Sequence, residues 1–312
     1  MSIREKIITL TVNPAIDLHI DAPSFAAGCD NPARVLSRDM GGKGINVSRA
    51  LLAYGIDNLA AAVFGRENRE AFTSSRDLCG MRLLFREVAG FIRENINIHS
   101  RDTETVIATE GPAVSAEVIN SLGEDILARL LPGSYLVFSG RISEGSDRAA
   151  VMELLRSVRE AGVRLVLDSK SITKEDISAL RPYLIKPNLD EAEELLGRKI
   201  RGREDYAAAL GALSSLGAEC VLLTLGGEGG ALLLDGETYI AEAPAVTVRS
   251  TVGAGDSTVA GFIAGDILGV PRERRLALAM AFGSAACMTA GTGAPDPCEI
   301  KELFSKIKPK KM

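Results

Sequence analysis

The sequence predicts an α/β protein, with a mostly parallel central sheet covered by helices on both faces and a smaller second sheet. From about residue 134 onward, buried strand patterns alternate with helical ones. In the N-terminal third, apolar and polar residues alternate as they do in half-exposed strands. Parallel neighbours need long crossover connections, usually helices, so this order favours one layered domain over residues 1–312. We place the strands of the small sheet at about 14–40 and 90–110.

The central sheet is predicted from continuous apolar runs of strand length. Such runs are typical of parallel strands that are buried on both faces. The spacing of apolar residues between the runs indicates helices. The segments are the strand "SYLVFSG", a helix from Asp147 to Ala161, the strand "VRLVLD", a short helix, the strand "YLIKPN", a helix over 203–216 and the strand "ECVLLTLGG".

The small sheet is predicted from two alternating segments. In "AIDLHID", apolar Ile16, Leu18 and Ile20 alternate with polar residues. The segment "IRENINIHSRDTETVIATEG" has the pattern of two half-exposed strands around a polar turn at Arg101–Asp102. Period-two alternation indicates one buried and one open face. An open sheet face of this kind serves as a lid over a site, as a dimer surface, or as both.

Charge and hydropathy exclude two classes of function. The chain has 41 acidic and 36 basic residues, and its basic run "KIKPKK" is typical of a solvated end rather than a nucleic-acid surface. The apolar segment 276–290 is too short to span a bilayer and predicts a buried core helix. The segment "MSIREKIITLTVN" is apolar for only the length of a strand, unlike a secretory signal. We therefore expect a cytoplasmic protein with no nucleic-acid or membrane partner.

Cysteine and histidine are too scarce for several common sites. Five cysteines, an odd number, have neither zinc nor redox spacing, so we expect reduced thiols, most of them in the core. The two histidines, His19 and His99, each lie in a strand-like segment. A histidine-rich metal centre is therefore excluded, and both are expected to be ordinary strand residues.

A glycine-rich turn precedes an aspartate in "STVGAGDSTVAG", residues 250–261. Gly253, Ala254 and Gly255 lie before Asp256, and the apolar residues behind it recur at helical spacing. Unpaired N–H groups and the positive end of the helix dipole favour an anion, such as a phosphoryl group, at this helix start. The alternative is structural, because aspartate is also a common helix cap.

A second glycine cluster, "DMGGKGINVSRALLAYG", opens another helix. Gly41, Gly42 and Gly44 permit close backbone approach to a ligand, while Lys43 and Asn46 add a cation and an amide. The segment is not a Walker A loop, which needs Ser or Thr after its lysine. Packing of a strand against a helix explains the glycines about as well as a ligand does.

Two further turns lie at strand ends. In "IKPNLDEAEELLG", a strand ends at Lys186 and Pro187, and Asn188 and Glu191 have the spacing of a capping box. Near a nucleotide, Glu191 would also hold Mg²⁺ through water. The segment "LLTLGGEGGALLL" is typical of a hairpin with a tight glycine turn. All four turns are expected at the edge of an open α/β sheet where ligands bind.

On these segments the chain resembles the ribokinase-like sugar kinases of the PfkB family. "STVGAGDS" is similar to the family's C-terminal signature and "GGKGINVSRAL" to its N-terminal one, and the resemblance extends from "TVNPAID" to "GSAACMTAGTG". "NPAIDLHI" followed by "GGKGINV" is most similar to the branch that acts on phosphorylated hexoses. The resemblance implies a ribokinase-like three-layer α/β/α fold with a small β-sheet lid, and ATP-dependent phosphorylation of a ketohexose phosphate.

The resemblance leaves several substrates open. Fructose 1-phosphate, which would give fructose 1,6-bisphosphate, is the first candidate, and tagatose 6-phosphate and fructose 6-phosphate are the alternatives within the branch. A kinase of an unphosphorylated sugar or nucleoside, and a non-catalytic regulator that binds sugar phosphate, are further alternatives. Where related kinases read Ser-Gly-Ser-Leu-Pro, this chain has "SGRISEG". Arg141 would therefore either grip a phosphate or block the usual substrate pose.

The resemblance also assigns roles to individual residues. Asp256 would be the general base, and Gly253, Ala254 and Gly255 would form the anion hole for the transferring phosphoryl group. The sugar phosphate would be bound by Asp17, Gly41, Gly42, Lys43, Asn46, Arg93, Asn95 and Ser139. ATP would lie against Lys186, Asn188, Glu191, Thr224, Gly226, Gly229, Gly283 and Ser284, with Mg²⁺ held by Glu191 through water. The alternating lid strands further predict a homodimer whose lid sheets pair edge to edge.

Overall fold

Strands and helices alternate along most of the chain in this computed structural model, which describes residues 4–74, 78, 80–101, 103–289 and 291–312. The strands are β1 (Glu5–Thr11), β2 (Ala15–Asp21), β3 (Arg34–Gly41), β4 (Leu59–Gly65), β5 (Arg82–Val88), β6 (Arg93–Ser100), β7 (Thr103–Ala108), β8 (Leu130–Ser139), β9 (Arg164–Asp168), β10 (Leu184–Ile185), β11 (Cys220–Thr224), β12 (Gly230–Leu234), β13 (Glu237–Ala241) and β14 (Lys310–Lys311). The helices are α1 (Lys43–Ala53), α2 (Arg69–Thr73), α3 (Ala116–Leu127), α4 (Arg148–Glu160), α5 (Lys174–Leu180), α6 (Leu189–Leu196), α7 (Arg203–Ser215), α8 (Ala254–Ile267), α9 (Arg272–Met288) and α10 (Pro297–Lys306).

The large sheet has the strand order β14-β13-β12-β11-β10-β9-β8-β1-β4-β5. Strands β1, β4, β5 and β8 to β11 pair in parallel, whereas β12, β13 and β14 add an antiparallel edge. The predicted mostly parallel sheet is therefore confirmed. Strand β10 is only two residues long, shorter than "YLIKPN" predicts, because Pro187 has no N–H and Asn188 already caps α6.

Helices cover both faces of this sheet, as expected for three layers. On β8, Leu136 and Phe138 pack with α3 to α7, while Tyr135 and Val137 pack with α1, α8, α9 and α10. Successive strand side chains point to opposite faces, so one buried strand supplies both cores. Fully burying a side chain of this size contributes about 1.5–3 kcal/mol.

The small sheet has the order β3-β2-β6-β7, and its strands lie at 15–21, 34–41, 93–100 and 103–108. On β2, however, the polar side chains are buried: Asp17 and His19 are each 5% exposed. On the other side of the strand Ile16 is 0% exposed, while Leu18 and Ile20 are only half-buried. The open face is therefore not the polar one, because Asp17 accepts a hydrogen bond from Asn95 and His19 lies against His99. Arg101 lies in the predicted turn, and Asp102 is outside the described residues.

Candidate functional site

A cavity of about 830 Å³ lies between the two sheets, at the strand ends and helix starts of the large one. Every residue that the sequence assigned to the site lines this cavity, except Gly41 and Ser139. Asp17, Arg93 and Asn95 reach it from the small sheet. The structure therefore brings together residues from all four glycine-rich or capped turns.

The start of α8 forms one wall of the cavity. Gly253 is the residue before the helix and has a left-handed conformation, with φ of 76°, which favours glycine. Asp256 lies in the first turn and makes no capping hydrogen bond. The alternative role of Asp256 as a helix cap is therefore wrong. The first N–H groups of a helix lack intrahelical partners, so this wall suits an anion.

The Asp256 carboxylate is buried and aimed at α1. Its Oδ2 accepts a hydrogen bond from Asn46 Nδ2 at 2.8 Å. Burial and the neighbouring Asp168 raise the pKa of Asp256 to about 6, although Lys43 and the Asn46 hydrogen bond act in the opposite direction. A carboxylate with this pKa is mostly ionised at neutral pH and still able to accept a proton.

Asp168, which the sequence analysis missed, joins two cations of the site. Its Oδ1 lies 3.1 Å from Lys43 Nζ and 3.4 Å from Lys186 Nζ. Burial opposes ionisation of Asp168, but Lys186 and Lys43 outweigh it and lower its pKa. Burial opposes the charge on Lys43, but Asp168 and Asp256 together outweigh it and raise the pKa of Lys43. The available signal was the place of Asp168 at the carboxyl end of the strand "VRLVLD", where α/β proteins put ligand-binding residues.

On the small sheet, three predicted residues form a hydrogen-bonded chain. Arg93 Nη1 donates to Asn95 Oδ1 at 2.6 Å, and Asn95 Nδ2 donates to Asp17 Oδ1 at 2.6 Å. Burial raises the pKa of Asp17 and lowers the pKa of Arg93, which the nearby Arg141 guanidinium lowers further. Gly41 lies behind Asp17, and a side chain at this position would clash with the Asp17 carboxylate.

Ser139 and Arg141 do not line the cavity. Ser139 is 1% exposed, and its hydroxyl is buried without a hydrogen-bond partner in the described part of the chain. Arg141 is half-exposed, with Nη2 3.9 Å from Glu110 Oε1. Arg141 thus adds positive charge near Arg93 without entering the cavity.

The opposite end of the cavity is built from α6 and two loops. Asn188 Oδ1 accepts from Glu191 N at 2.8 Å and Glu191 Oε2 accepts from Asn188 N at 3.0 Å, which confirms the predicted capping box. The predicted hairpin between β11 and β12 is also confirmed, with a 3₁₀ turn at Gly226–Glu228. Gly229 has φ of 113°, a left-handed conformation that favours glycine.

An apolar wall next to these loops was missed in the sequence. It is formed by Ala243, Ala245, Val246, Val248, Val252 and Met280. Small-molecule sites are lined mainly by apolar groups with a few placed polar ones, so this wall suits a flat ring system. The apolar alternation in "AEAPAVTVRS" was the available signal.

Several other features bear on the cysteine, histidine and apolar segments discussed above. Among the described residues no three His, Cys, Asp or Glu side chains converge on one point, and no helix is long and apolar enough to cross a membrane. The described cysteines are free, but only Cys220 is buried, so the expectation that most lie in the core is wrong. Cys79 lies outside the described residues. His19 and His99 are strand residues whose rings meet, with Nδ1 and Nε2 3.1 Å apart.

Comparison with known proteins identifies the family and the fold. The pattern of the pfkB family carbohydrate kinases matches residues 10–298. Tagatose-6-phosphate kinase of Staphylococcus epidermidis is 29% identical over 304 residues, covering 96% of this chain and 98% of that protein. 1-Phosphofructokinase of Bacillus subtilis is 29% identical over 302 residues, covering 97% and 98%. The crystal structure of phosphofructokinase-2 from Escherichia coli with substrates and products has a TM-score of 0.88, with 25% identity over 96% of this chain and 99% of that one.

The three-layer architecture with a separate small sheet is the ribokinase-like fold. The chain belongs to the pfkB family of carbohydrate kinases, and the resemblance drawn from its two signatures is confirmed.

Proposed function

We propose that this protein transfers the terminal phosphoryl group of ATP to a hydroxyl group of a ketohexose phosphate. The observation that carries the proposal is the start of α8, where a buried carboxylate of raised pKa, Asp256, lies beside the helix N-terminus at Gly253–Gly255. Cations from two other segments, Lys43 and Lys186, meet beside it on Asp168. Phosphoryl transfer needs this combination of positioning, a proton acceptor and charge stabilisation.

In the proposed reaction the sugar hydroxyl oxygen bonds to the terminal phosphorus as the bond to the bridging oxygen of ADP breaks. Asp256 takes the hydroxyl proton, and the backbone N–H groups of Gly253, Ala254 and Gly255 receive the charge on the phosphoryl oxygens. Asn46 holds the carboxylate through its hydrogen bond to Oδ2. ADP leaves with the electron pair of the broken bond.

The two substrates would occupy opposite ends of the cavity. The sugar would contact Asp17, Gly42, Asn46 and Asn95, with its phosphate against Lys43 and Arg93. Gly41 would contribute only by leaving room for the Asp17 carboxylate. The nucleotide would lie against Lys186, Asn188, Thr224, Gly226, Gly229, Gly283 and Ser284, with its base on the apolar wall. Ser139 would contribute by packing alone, since it does not line the cavity.

Glu191 fits the expected role toward Mg²⁺. Its Oε2 is used by the capping box, while the side chain still lines the cavity beside Lys186 and Asn188. Mg²⁺ is usually held by one or two carboxylates plus substrate phosphates and water, so one available carboxylate oxygen suffices. When bound, the ion would neutralise charge on the phosphates.

Fructose 1-phosphate is the substrate we propose first, with tagatose 6-phosphate second. Both choices rest on the full-length relatives, one named 1-phosphofructokinase and one named tagatose-6-phosphate kinase, at equal identity. Arg93 and Lys43 at the sugar end favour a phosphorylated sugar over a free sugar or nucleoside. The predicted cytoplasmic location stays a prediction.

The test is an ADP-release assay with Mg-ATP on fructose 1-phosphate, tagatose 6-phosphate, fructose 6-phosphate and free fructose. We expect the highest kcat/KM on fructose 1-phosphate. The Asp256→Asn variant removes the proton acceptor and should lower kcat by about a hundredfold or more. Asp266→Asn is the matched control, because Asp266 lies on the same helix but pairs with Arg164 and Arg275 away from the cavity.

Three outcomes would contradict parts of the proposal. Full activity of Asp256→Asn would remove the proposed base. A higher kcat/KM on tagatose 6-phosphate or fructose 6-phosphate would replace the first substrate. Binding of ATP and sugar phosphate without turnover would favour the non-catalytic regulator.

We also propose that two copies associate through the small sheets. The faces of these sheets that point away from the cavity carry Leu18, Ile20, Val35, Ile96 and Ile107, which share one side in the strand register. Val35 is 62% and Ile107 49% exposed. An exposed apolar stripe of this kind is typical of an interaction surface, and it favours face contacts over the edge pairing expected from the sequence.

A further inference from the structure

Arg49 is a buried cation beside the proposed base that the family signatures left without a role. It lies on α1, three residues after Asn46, and is 7% exposed. Its guanidinium contacts three separate segments. Nη1 donates to the Thr292 carbonyl oxygen at 2.7 Å and to Asn46 Oδ1 at 3.1 Å, and Nη2 donates to the Met40 carbonyl oxygen.

The contact with Asn46 decides which way the Asn46 amide faces. A guanidinium only donates hydrogen bonds, so the amide edge toward Arg49 has to be its oxygen. The amide nitrogen is then left on the other side, where Nδ2 donates to Asp256 Oδ2 at 2.8 Å. An ionised carboxylate only accepts, so the reversed amide would place two acceptors against each other.

The other two contacts connect the Arg49 guanidinium to the small sheet, directly at Met40 and through Thr292. Met40 is the penultimate residue of β3, and Asp39 beside it accepts from the Thr292 N–H at 3.3 Å. Thr292 is therefore held at its N–H by a lid strand and at its carbonyl by Arg49. The end of β3, the loop after α9 and the Asn46 amide all depend on one side chain.

We propose that Arg49 is a positioning residue that fixes the Asn46 amide, and through it the Asp256 carboxylate, to the end of lid strand β3. This inference rests on the proposed function, because it concerns the proposed base. A purely structural role would predict only a loss of stability. A positioning role predicts, in addition, a change in the titration of the base and a dependence on Asn46.

The first experiment replaces Arg49 by lysine, which keeps the positive charge but loses the fork of donors. We expect kcat to fall by about tenfold or more, since small misplacements of a catalytic group are costly. The Asn46 hydrogen bond lowers the pKa of Asp256. Its loss should therefore move the acid limb of the kcat–pH profile to higher pH.

The matched control is Arg274→Lys. Arg274 also donates to two main-chain carbonyls, at 2.6 Å on Ile307 and 2.7 Å on Phe304, but it lies on α9 and holds the end of α10. It should lose stability without a shift of the acid limb. If Arg49→Lys does not fold, Arg49→Gln gives the same comparison with a smaller donor.

The second experiment is a double-mutant cycle with Asn46→Ala. If Arg49 acts on the base through Asn46, Arg49→Lys should lower kcat far less in the Asn46→Ala background than alone. Additive effects together with an unmoved acid limb would overturn the inference while leaving the proposed function intact, provided that Asp256→Asn is inactive. An active Asp256→Asn would overturn both.

Discussion

Asp256 and Asp168 are two carboxylates that feel the charges of the same two lysines, and their environments push their pKa values apart. Asp256 faces the cavity with one amide donor, and its pKa is raised to about 6. Asp168 lies deeper between Lys43 and Lys186, and its pKa is lowered. Two carboxyl groups separated in this way take different roles, one accepting protons and one remaining a fixed negative charge.

We predict that Asp168→Asn moves the acid limb of the kcat/KM–pH profile below that of the wild type. With Asp256 as the proposed base, wild-type activity should be lost as pH falls through about 6. The Asp168 charge raises the pKa of Asp256, so its removal lowers that pKa, and the freed lysines act in the same direction. The measurement is kcat/KM from pH 5 to pH 8.

The direction of the shift distinguishes this variant from Arg49→Lys, which should move the acid limb of the kcat–pH profile to higher pH. Asp266→Asn again serves as the control, and its profile should match the wild type. An unchanged or raised limb for Asp168→Asn would contradict the account of Asp168 as a fixed charge.

Individual residues show most clearly which features of the site the sequence predicts and which it does not. Asn188 and Glu191 were predicted as a capping box because both partners lie within four residues. Asp168 was missed because its partners lie far away in the chain, with Lys43 125 residues distant. Sequence patterns identify partners that are close along the chain. The partners of a buried charge are set by the fold, which brings distant segments together.

At the scale of elements, α8 and α9 pack closely because Gly261 has no side chain. An added Cβ would lie 2.8 Å from the Leu278 carbonyl oxygen and 2.9 Å from the Ala279 Cα. We predict that Gly261→Ala lowers the free energy of unfolding by about 1–3 kcal/mol, since backbone has to move to admit it. Urea unfolding followed by circular dichroism measures this.

Gly265→Ala on the same helix is the control for that prediction. The nearest atom to its added Cβ, Arg275 Cγ, lies at 3.5 Å, an ordinary contact. Alanine is the better helix former by about 1 kcal/mol, so this variant should be as stable as the wild type or more so. Equal losses of unfolding free energy in both variants would show that close packing at Gly261 is not the cause.

The small sheet shows what alternation along a strand does not predict, namely which face of the strand is buried. Alternation in "AIDLHID" correctly predicted a strand with two unlike faces. It also indicated one buried and one open face, and the apolar face is the buried one when the only partner is a hydrophobic core. In β2, Asp17 borders the polar cavity and is buried together with His19, whereas on the other side Ile16 is buried and Leu18 and Ile20 are half-buried.

At the scale of the whole molecule, we predict that Val35→Lys weakens self-association. The substitution places a charge on the proposed face-to-face contact, where burial without a partner is costly. Light scattering coupled to gel filtration should give a dimer for the wild type and mostly monomer for the variant at micromolar concentration. A monomeric wild type would contradict the proposed dimer.

Leu268→Lys provides the comparison at a site away from the lid. Leu268 is 56% exposed, similar to Val35, but it lies at the end of α8. This variant should keep the oligomeric state of the wild type. If only Leu268→Lys dissociated the dimer, the contact between the two copies would instead lie at the end of α8.

Asn46 reaches Asp256 across 210 residues of sequence, and Arg49 reaches Thr292 across 243. During synthesis, α1 therefore leaves the ribosome long before the helix that carries the base exists. Domains generally fold as units, and contacts of such long range form late. We therefore expect the nascent chain to be inactive for most of translation. A chain whose synthesis stops early would consume neither ATP nor sugar phosphate.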